Sequence, residues 1–507
     1  MAIITRIPSH RLRLSLLSLT LVAAPCFAEE TKDWQISPSL QLGLDYSDNL
    51  DLAASDQTET FFGTLTPGIS INRQGRYLQL GLDYNLALVD YSSETRSDSY
   101  FHRLNAFADA ELVEDHLFVN TQAGASQQLI DNRSAGNIDP RLSPDAFTNT
   151  FSFTITPSWR QRIGDYTDIN LSAGYDAVIY QNGAEDSEGV SYSLSFDTRA
   201  NPNKIYWTLQ TRKDNAKSSN SNSTLDKNDF AQLQLGYRHS QQLDLRVGGG
   251  YSDSYIDNPT DTNIASGTSF WSAGLSWNPS PRTSLDLNYS SKLQSASRGA
   301  VLTHRRKRGT LSLSYQQSLS SVRQEQLQLA PVGSLICPAG NSINLADCRF
   351  IGLGDSAIPG SNEQVLGVID LTTSLNEGRF INEALRASYN YSFRKSSLSL
   401  GLSSQRRKFQ DLSNRVEEDL GVNAGWSLQL SARSSMDISY DWSVLEPNTN
   451  AVSLARDYRS GVNLGMNRKL SPDTALALYI RYNEQRSSDP SRQFEEYGSG
   501  ASISHSF

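Results

Sequence analysis

The sequence predicts an all-β chain that closes into a transmembrane antiparallel outer-membrane barrel of about 22 strands, within a range of roughly 18–22. Three observations predict it. Apolar and polar side chains alternate with period two, short turns alternate with long polar loops, and tryptophans keep to the apolar phase. The mean hydropathy of −0.45 over 507 residues, with 38% hydrophobic and 20% charged side chains, would by itself suit a soluble protein. In a barrel that figure averages a lipid face with a wet lumen, residue by residue, and describes neither. The net charge of −9 argues against a nucleic-acid partner, which requires a basic footprint.

The first element is an address. Arg6, His10, Arg11 and Arg13 precede the apolar run 14–24, and Cys26 and Ala28 stand at the small-residue positions of a cleavage after Ala28. Residues 1–28 therefore read as a secretory signal peptide, leaving 29–507 as the barrel domain. Acylation at Cys26 is disfavoured by Pro25 before it. The apolar run is too short to span a bilayer.

The strands follow from alternation. Leu78, Leu80, Leu82, Tyr84, Leu86 and Leu88 interleave with Gln79, Gly81, Asp83, Asn85 and Ala87. Successive side chains of a strand point to opposite faces, so this pattern makes one apolar and one polar face. It recurs at Leu40–Tyr46, Phe151–Ile155, Ile169–Tyr175, Leu243–Val247, Leu285–Tyr289, Leu398–Leu402 and Leu476–Tyr482.

Short turns are expected at 73–76, 113–115, 161–165, 199–204, 240–241, 278–282, 318–321, 393–395, 429–433 and 469–473. Longer polar loops are expected at 47–60, 92–99, 128–146, 181–188, 213–227, 254–267, 294–303, 332–379, 409–415, 445–454 and 486–493. That asymmetry belongs to barrels with short periplasmic turns and long extracellular loops. A strand is expected at 322–331, between the turn at 318–321 and the longest loop.

Trp159, Trp207, Trp277 and Trp426 should sit near the short-turn ends, and Trp271 and Trp442 toward the long loops, as two aromatic belts at the lipid interfaces. The final strand ends Ile503-Ser504-His505-Ser506-Phe507. With Phe507 last, it resembles the signature by which barrel-assembly machinery recognises its clients. The opposite phase should line the lumen, with Asp168, Asn170, Asp244, Arg246, Asp286, Asn288, Arg386 and the sugar-stacking Tyr479. The first strand begins near Trp34, which leaves no room ahead of it for a plug domain and makes a loop the expected filler of the bore.

No catalytic constellation is expected. His102, His116, His239, His304 and His505 lie on scattered strands, and no Gly-x-Ser-x-Gly elbow is present. No cofactor or metal is expected either; Asp45, Asp48, Asn49 and Asp51 lack the Gly and Glu of a calcium loop in register and read as polar loop. Arg305 and Lys307, in the basic run His304–Arg308, are candidate outward contacts for lipopolysaccharide phosphates, as are Arg406–Lys408. Cys337 and Cys348 can close a small disulfide ring contributing on the order of 3 kcal/mol to the longest loop.

The opening Trp34–Leu40, the Tyr46-Ser47-Asp48-Asn49 segment, Leu65–Ser70 and the hairpin around Glu111–Asp115 resemble, in order and spacing, outer-membrane proteins associated with exosortase/PEP-CTERM systems. The resemblance covers essentially the mature chain. It implies a barrel working with exopolysaccharide biosynthesis and export, with the polymer and a periplasmic export component as partners. It supplies no catalytic residues. The expected function is a monomeric channel for exopolysaccharide export; a structural or adhesive barrel with binding loops, or a small-solute porin, are the alternatives.

Overall fold

The computed structural model describes residues 34–507 except 94–95, 131–138, 183–184, 199–203, 219–224, 258–266, 292–295, 322, 325–326, 328–332, 339–348, 353–362, 369–378, 410–414, 450–451 and 454–455. Barrel strands are numbered in chain order. They begin with β1 (Trp34–Ser47), β2 (Thr60–Gln74), β3 (Leu78–Tyr91), β4 (Ser99–Val113), β5 (Leu117–Leu129) and β6 (Phe147–Ile163). Next come β7 (Thr167–Tyr180), β8 (Ser187–Thr198), β9 (Ile205–Ser218), β10 (Leu225–Arg238), β11 (Leu243–Asp257) and β12 (Thr268–Ser280). The short β13 (Thr283–Ser290) and β14 (Ser297–Arg305) lead to β15 (Gly309–Ser321), β16 (Arg379–Ser392), β17 (Ser396–Phe409) and β18 (Val416–Ser431). The wall ends with β19 (Ser434–Thr449), β20 (Asp457–Lys469), β21 (Thr474–Ser487) and β22 (Phe494–Ser506).

Each strand pairs antiparallel with its neighbours in sequence, and β22 returns to β1 in the register Ser39↔Ser506 through Ser47↔Gly498. Closure satisfies every edge, which is what lets strands stand in lipid. The 22 strands are long where the alternation is long. Leu42, Leu44, Leu233, Leu235, Val247, Leu478 and Ile480 are exposed on the outer wall. Three β-bulges, between Glu111 and Val113, Trp277 and Ser280, and Gln429 and Ser431, all lie beside short turns, where they re-aim the strand ends. Gly164, at φ +58°, makes the β6–β7 turn in the left-handed region.

One turn differs from expectation. Arg306, Lys307 and Arg308 join β14 to β15, closed by Arg306 N–H donating to the Gly309 carbonyl at 2.6 Å. Residues 318–321 continue β15 instead, because its apolar phase, Leu311, Leu313 and Tyr315, runs on through Leu319. β15 pairs directly with β16; of the strand expected at 322–331, the described residues Arg323, Gln324 and Leu327 are helical and the rest lies outside the described residues. Residues 297–303, expected within a loop, belong to β14.

The basic run thus sits at the short-turn end, opposite the rim where lipopolysaccharide contacts were expected. Arg305 pairs with Thr310 and shares the phase of Val301, the partner of Asp286, so it turns inward rather than outward. Arg305 and Lys307 are therefore not outer-rim contacts. Within the long loop, Gly333–Pro338 pairs with Arg349–Gly352 and Glu363–Val368 as a separate three-stranded sheet. The side chain of Cys337 and the whole of Cys348 lie outside the described residues, and so does their disulfide.

Candidate functional site

The inner face is identified by contacts made across the bore. Between β5 and β6, a segment at 139–146 leaves the wall at the long-loop end and turns inward. Its Asp139 carboxylate accepts from Arg141 Nη2 at 2.9 Å and from Arg481 Nη1, on β21, at 2.8 Å. Arg141 Nη1 reaches Asp45 of β1 at 3.2 Å, and the Tyr479 hydroxyl donates to the same Asp45. Arg481 Nε also bonds Glu496 of β22 at 3.1 Å, while Asn483 Nδ2 and Ser47 Oγ donate to that carboxylate at 2.8 and 3.0 Å. Asp45, Asp139, Arg481 and Glu496 are buried. Burial alone would raise the Asp139 carboxyl; the Arg141 and Arg481 guanidiniums outweigh it and hold the group well below the usual carboxylate range.

An apolar plug lies beside this latch. Leu50 and Leu52, from the β1–β2 loop, and Leu142 bury themselves against inward-facing Phe62, Val89, Tyr91, Phe101 and Phe494. Arg96, from the β3–β4 loop, fastens the pieces: it pairs with Asp51 at 2.6 Å and donates to the carbonyls of Leu142 and Leu50. Asn49 ties the first loop to the wall, its Nδ2 donating to Ala53 and Glu495 carbonyls at 2.8 Å each. Three loops from the first third of the chain thus close the long-loop mouth over that sector.

A second bridge spans from β7 to β16 and β17. Val178 and Tyr180 of β7 share one buried cluster with Phe380 of β16 and Phe409 of β17, and Leu327 and Ile130 pack against it. Arg323, just beyond β15, forms an ion pair with Asp176 of β7. Phe380 and Phe409 lie 5.2 Å apart by ring centroid, with Arg407 over Phe380 and Arg415 over Phe409.

Toward the short-turn end the wall carries a polar ladder. Tyr206 OH donates to Asp244 at 2.7 Å; Arg246 lies 3.8 Å from both Asp244 and Asp286 and donates to Ser276 Oγ at 2.8 Å. Ser276 in turn donates to Asp286. The structure thus brings Asp244, Arg246 and Asp286 together. Asn288 is next in phase, its Oδ1 over Gly299. Asp168 pairs with Arg162 at 3.3 Å and, with Asn170, shares the phase of Asp176; Arg386 shares the phase of Phe380. Tyr479 stands apart from these, committed to the latch. Trp159, Trp207, Trp271, Trp277 and Trp426 are exposed in the outward phase, which Trp442 shares through its partner Val422. Phe507 donates its N–H to Pro38 at 2.8 Å.

Glycines make room for this ladder. A Cβ on Gly236 would meet the ring of its cross-strand partner Tyr206 at 2.0 Å. Gly236→Val should therefore push Tyr206 off Asp244 and lower the barrel's melting temperature; an unchanged melting curve would show that the ring has room to move.

Sequence reasoning missed Asp139, Arg141, Arg481 and Glu496, since charges in loops and lumens are the ordinary expectation. Leu50, Leu52 and Leu142 were missed as well, although leucines inside otherwise polar loops were a signal that something packs against them.

No protein-family model matches the chain, and no curated protein does. Its structure is similar to the siderophore receptor PirA from Acinetobacter baumannii, with a TM-score of 0.52 at 9% identity over 93% of this chain and 80% of that one. It is an outer-membrane β-barrel. The barrel is equally similar to the FrpB iron transporter from Neisseria meningitidis (F5-1 variant), with a TM-score of 0.52 at 9% identity over 94% and 83%. The outward apolar wall is what such a location requires, because no aqueous surface would leave so continuous an apolar band uncovered.

Proposed function

We propose that this outer-membrane barrel is a gated channel through which exopolysaccharide leaves the cell. The latch carries the reading: a loop drawn into the bore is held by buried ion pairs to the wall, and a wall fastened to a movable loop is the construction of a closed state. The wall below it supports a hydroxyl-rich passenger. Tyr206, Asp244, Arg246, Ser276 and Asp286 offer donors and acceptors, and Arg238 and Arg246 offset the two carboxylates, so sugar hydroxyls exchange partners without being trapped. The resemblance to exosortase-associated outer-membrane proteins supplies the polymer class.

Two measurements test it. In planar bilayers the wild type should be mostly closed, with openings that uncharged dextran interrupts. A chromosomal deletion should lower exopolysaccharide in the medium and raise it in the periplasm. Normal secretion by the deletion strain overturns the export reading. If the barrel stays closed even with its latch removed, a structural barrel with binding loops replaces the channel.

A further inference from the structure

The charge of the barrel is divided between its two ends. At the long-loop end arginines meet carboxylates: Arg96 with Asp51 at 2.6 Å, Arg406 with Glu418 at 3.0 Å, Arg456 with Glu446 at 2.5 Å, Arg492 with Asp457 at 2.7 Å. At the short-turn end a run of consecutive turns does the reverse. The β12–β13 turn carries Arg282, and the β14–β15 turn Arg306, Lys307 and Arg308. The β16–β17 turn adds Arg394 and Lys395, the β18–β19 turn Arg433, and the end of β20 Arg468 and Lys469. All nine are exposed, and among the described residues none forms an ion pair with a carboxylate.

These turns form one surface. Arg305 N–H donates to the Arg282 carbonyl and Ser392 N–H to that of Arg308, both at 2.7 Å. Farther along, Gln429 N–H donates to Lys395 and Lys469 N–H to Arg433, both at 2.8 Å. Across this arc only Asp473 opposes the bases within a turn. The β4–β5 turn, away from the arc, is acidic instead, with Glu114 and Asp115. In a chain of net charge −9 such a concentration of unpaired bases stands against the average.

We infer that this arc is a docking face for an acidic periplasmic protein. Its shape decides among anions. Inner-leaflet phosphates surround a barrel evenly and would ask for unmatched bases all around the rim, yet away from the arc Arg76, Arg162 and Arg238 are matched by Glu114, Asp168 and Asp244, so the unmatched bases concentrate on one side. A polyanion threading the bore would meet the axis and then the wall, where Arg246 is already matched by Asp244 and Asp286. An off-centre crescent of guanidinium and ammonium groups fits a folded partner seated on one side of the mouth, contacting it through carboxylates.

The full barrel in phosphatidylcholine nanodiscs, probed with a labelled 20-residue polyglutamate, tests the charge complementarity. Binding should weaken steeply with salt and fall at least tenfold in R306E/K307E/R308E/R394E/K395E, while R406E/K408E at the other end leaves it unchanged. Phosphatidylglycerol in the discs should leave it intact; its loss there places the arc among lipid headgroups and overturns the inference. In the native host, a photocrosslinker replacing Lys307 should give a discrete protease-sensitive adduct that R394E/K395E abolishes and that a crosslinker replacing Asp115 does not give. An adduct sensitive only to polysaccharide lyase, or none, also overturns it. These readouts are independent of conductance, so they stand or fall apart from the channel reading.

Discussion

Arg141→Ala opens the barrel. Removing this guanidinium leaves Asp139 and Asp45 buried beside each other's charge with one fewer cation between them, and frees the carbonyl-to-Tyr91 bond at 2.5 Å to reorient with the loop. Breaking a buried pair by deleting one partner costs about 3–5 kcal/mol; here Asp45 is left with the Tyr479 hydroxyl and no cation, while Asp139 keeps Arg481 alone. At about 1.4 kcal/mol per factor of ten, the open population should rise at least about a hundredfold. Single-channel recording reads this directly. The strands do not depend on Arg141, so the variant should still migrate as a folded barrel on unheated gels. Arg406→Ala, which breaks an exposed pair worth about 0–1 kcal/mol, should leave the open fraction nearly unchanged. Equal openings in the two variants would sink the latch.

Strong acid opens the wild type and mild acid does not. The closed state holds Asp139 ionised against two guanidiniums, so its carboxyl lies below the value of about 3.9 that a freed loop would show. A group depressed in the closed state stabilises that state fully above the free value and loses the contribution as pH falls through the depressed one. Conductance should therefore stay low from neutral pH down to about 5 and climb progressively below about 4. Asp139→Asn carries no such titration and should be more open at neutral pH with a flatter acid limb. An opening centred near pH 6 in the wild type would assign the gate to another group.

The alternation of Leu78–Leu88 and its repeats was sufficient to foresee the closed sheet, because period two is a local property that the pleat turns directly into two faces. Turn positions followed wherever Gly or polar clusters interrupted that phase, as at Gly164. The failure at 304–321 has the same physics: Arg306-Lys307-Arg308 lacks a Gly or Pro marker before Gly309, while the serines of β15 imitate a turn although its leucines keep their phase. Asp244, Arg246 and Asp286 each keep the polar phase of their strands in the sequence; their meeting on one ladder depended on register, which no single strand encodes. The latch was not legible at all. Asp139 and Arg481 are separated by 342 positions, and nothing local to either names the other.

That separation has a consequence for how the molecule is made. The end of β1 and the first loops of the chain are fastened to its last two strands: Ser47 to Glu496, Asn49 to the Glu495 carbonyl, and Asp139 to Arg481. Those partners come together only when β22 has met β1 and the cylinder is complete. The seal is therefore the final long-range event of biogenesis, delayed by the entropy of bringing distant segments together. A barrel halted before its last strand inserts would lack the receptor for its own stopper. The fastening of the first loops to the wall is in this sense a mark of finished assembly, held by the C-terminal strands.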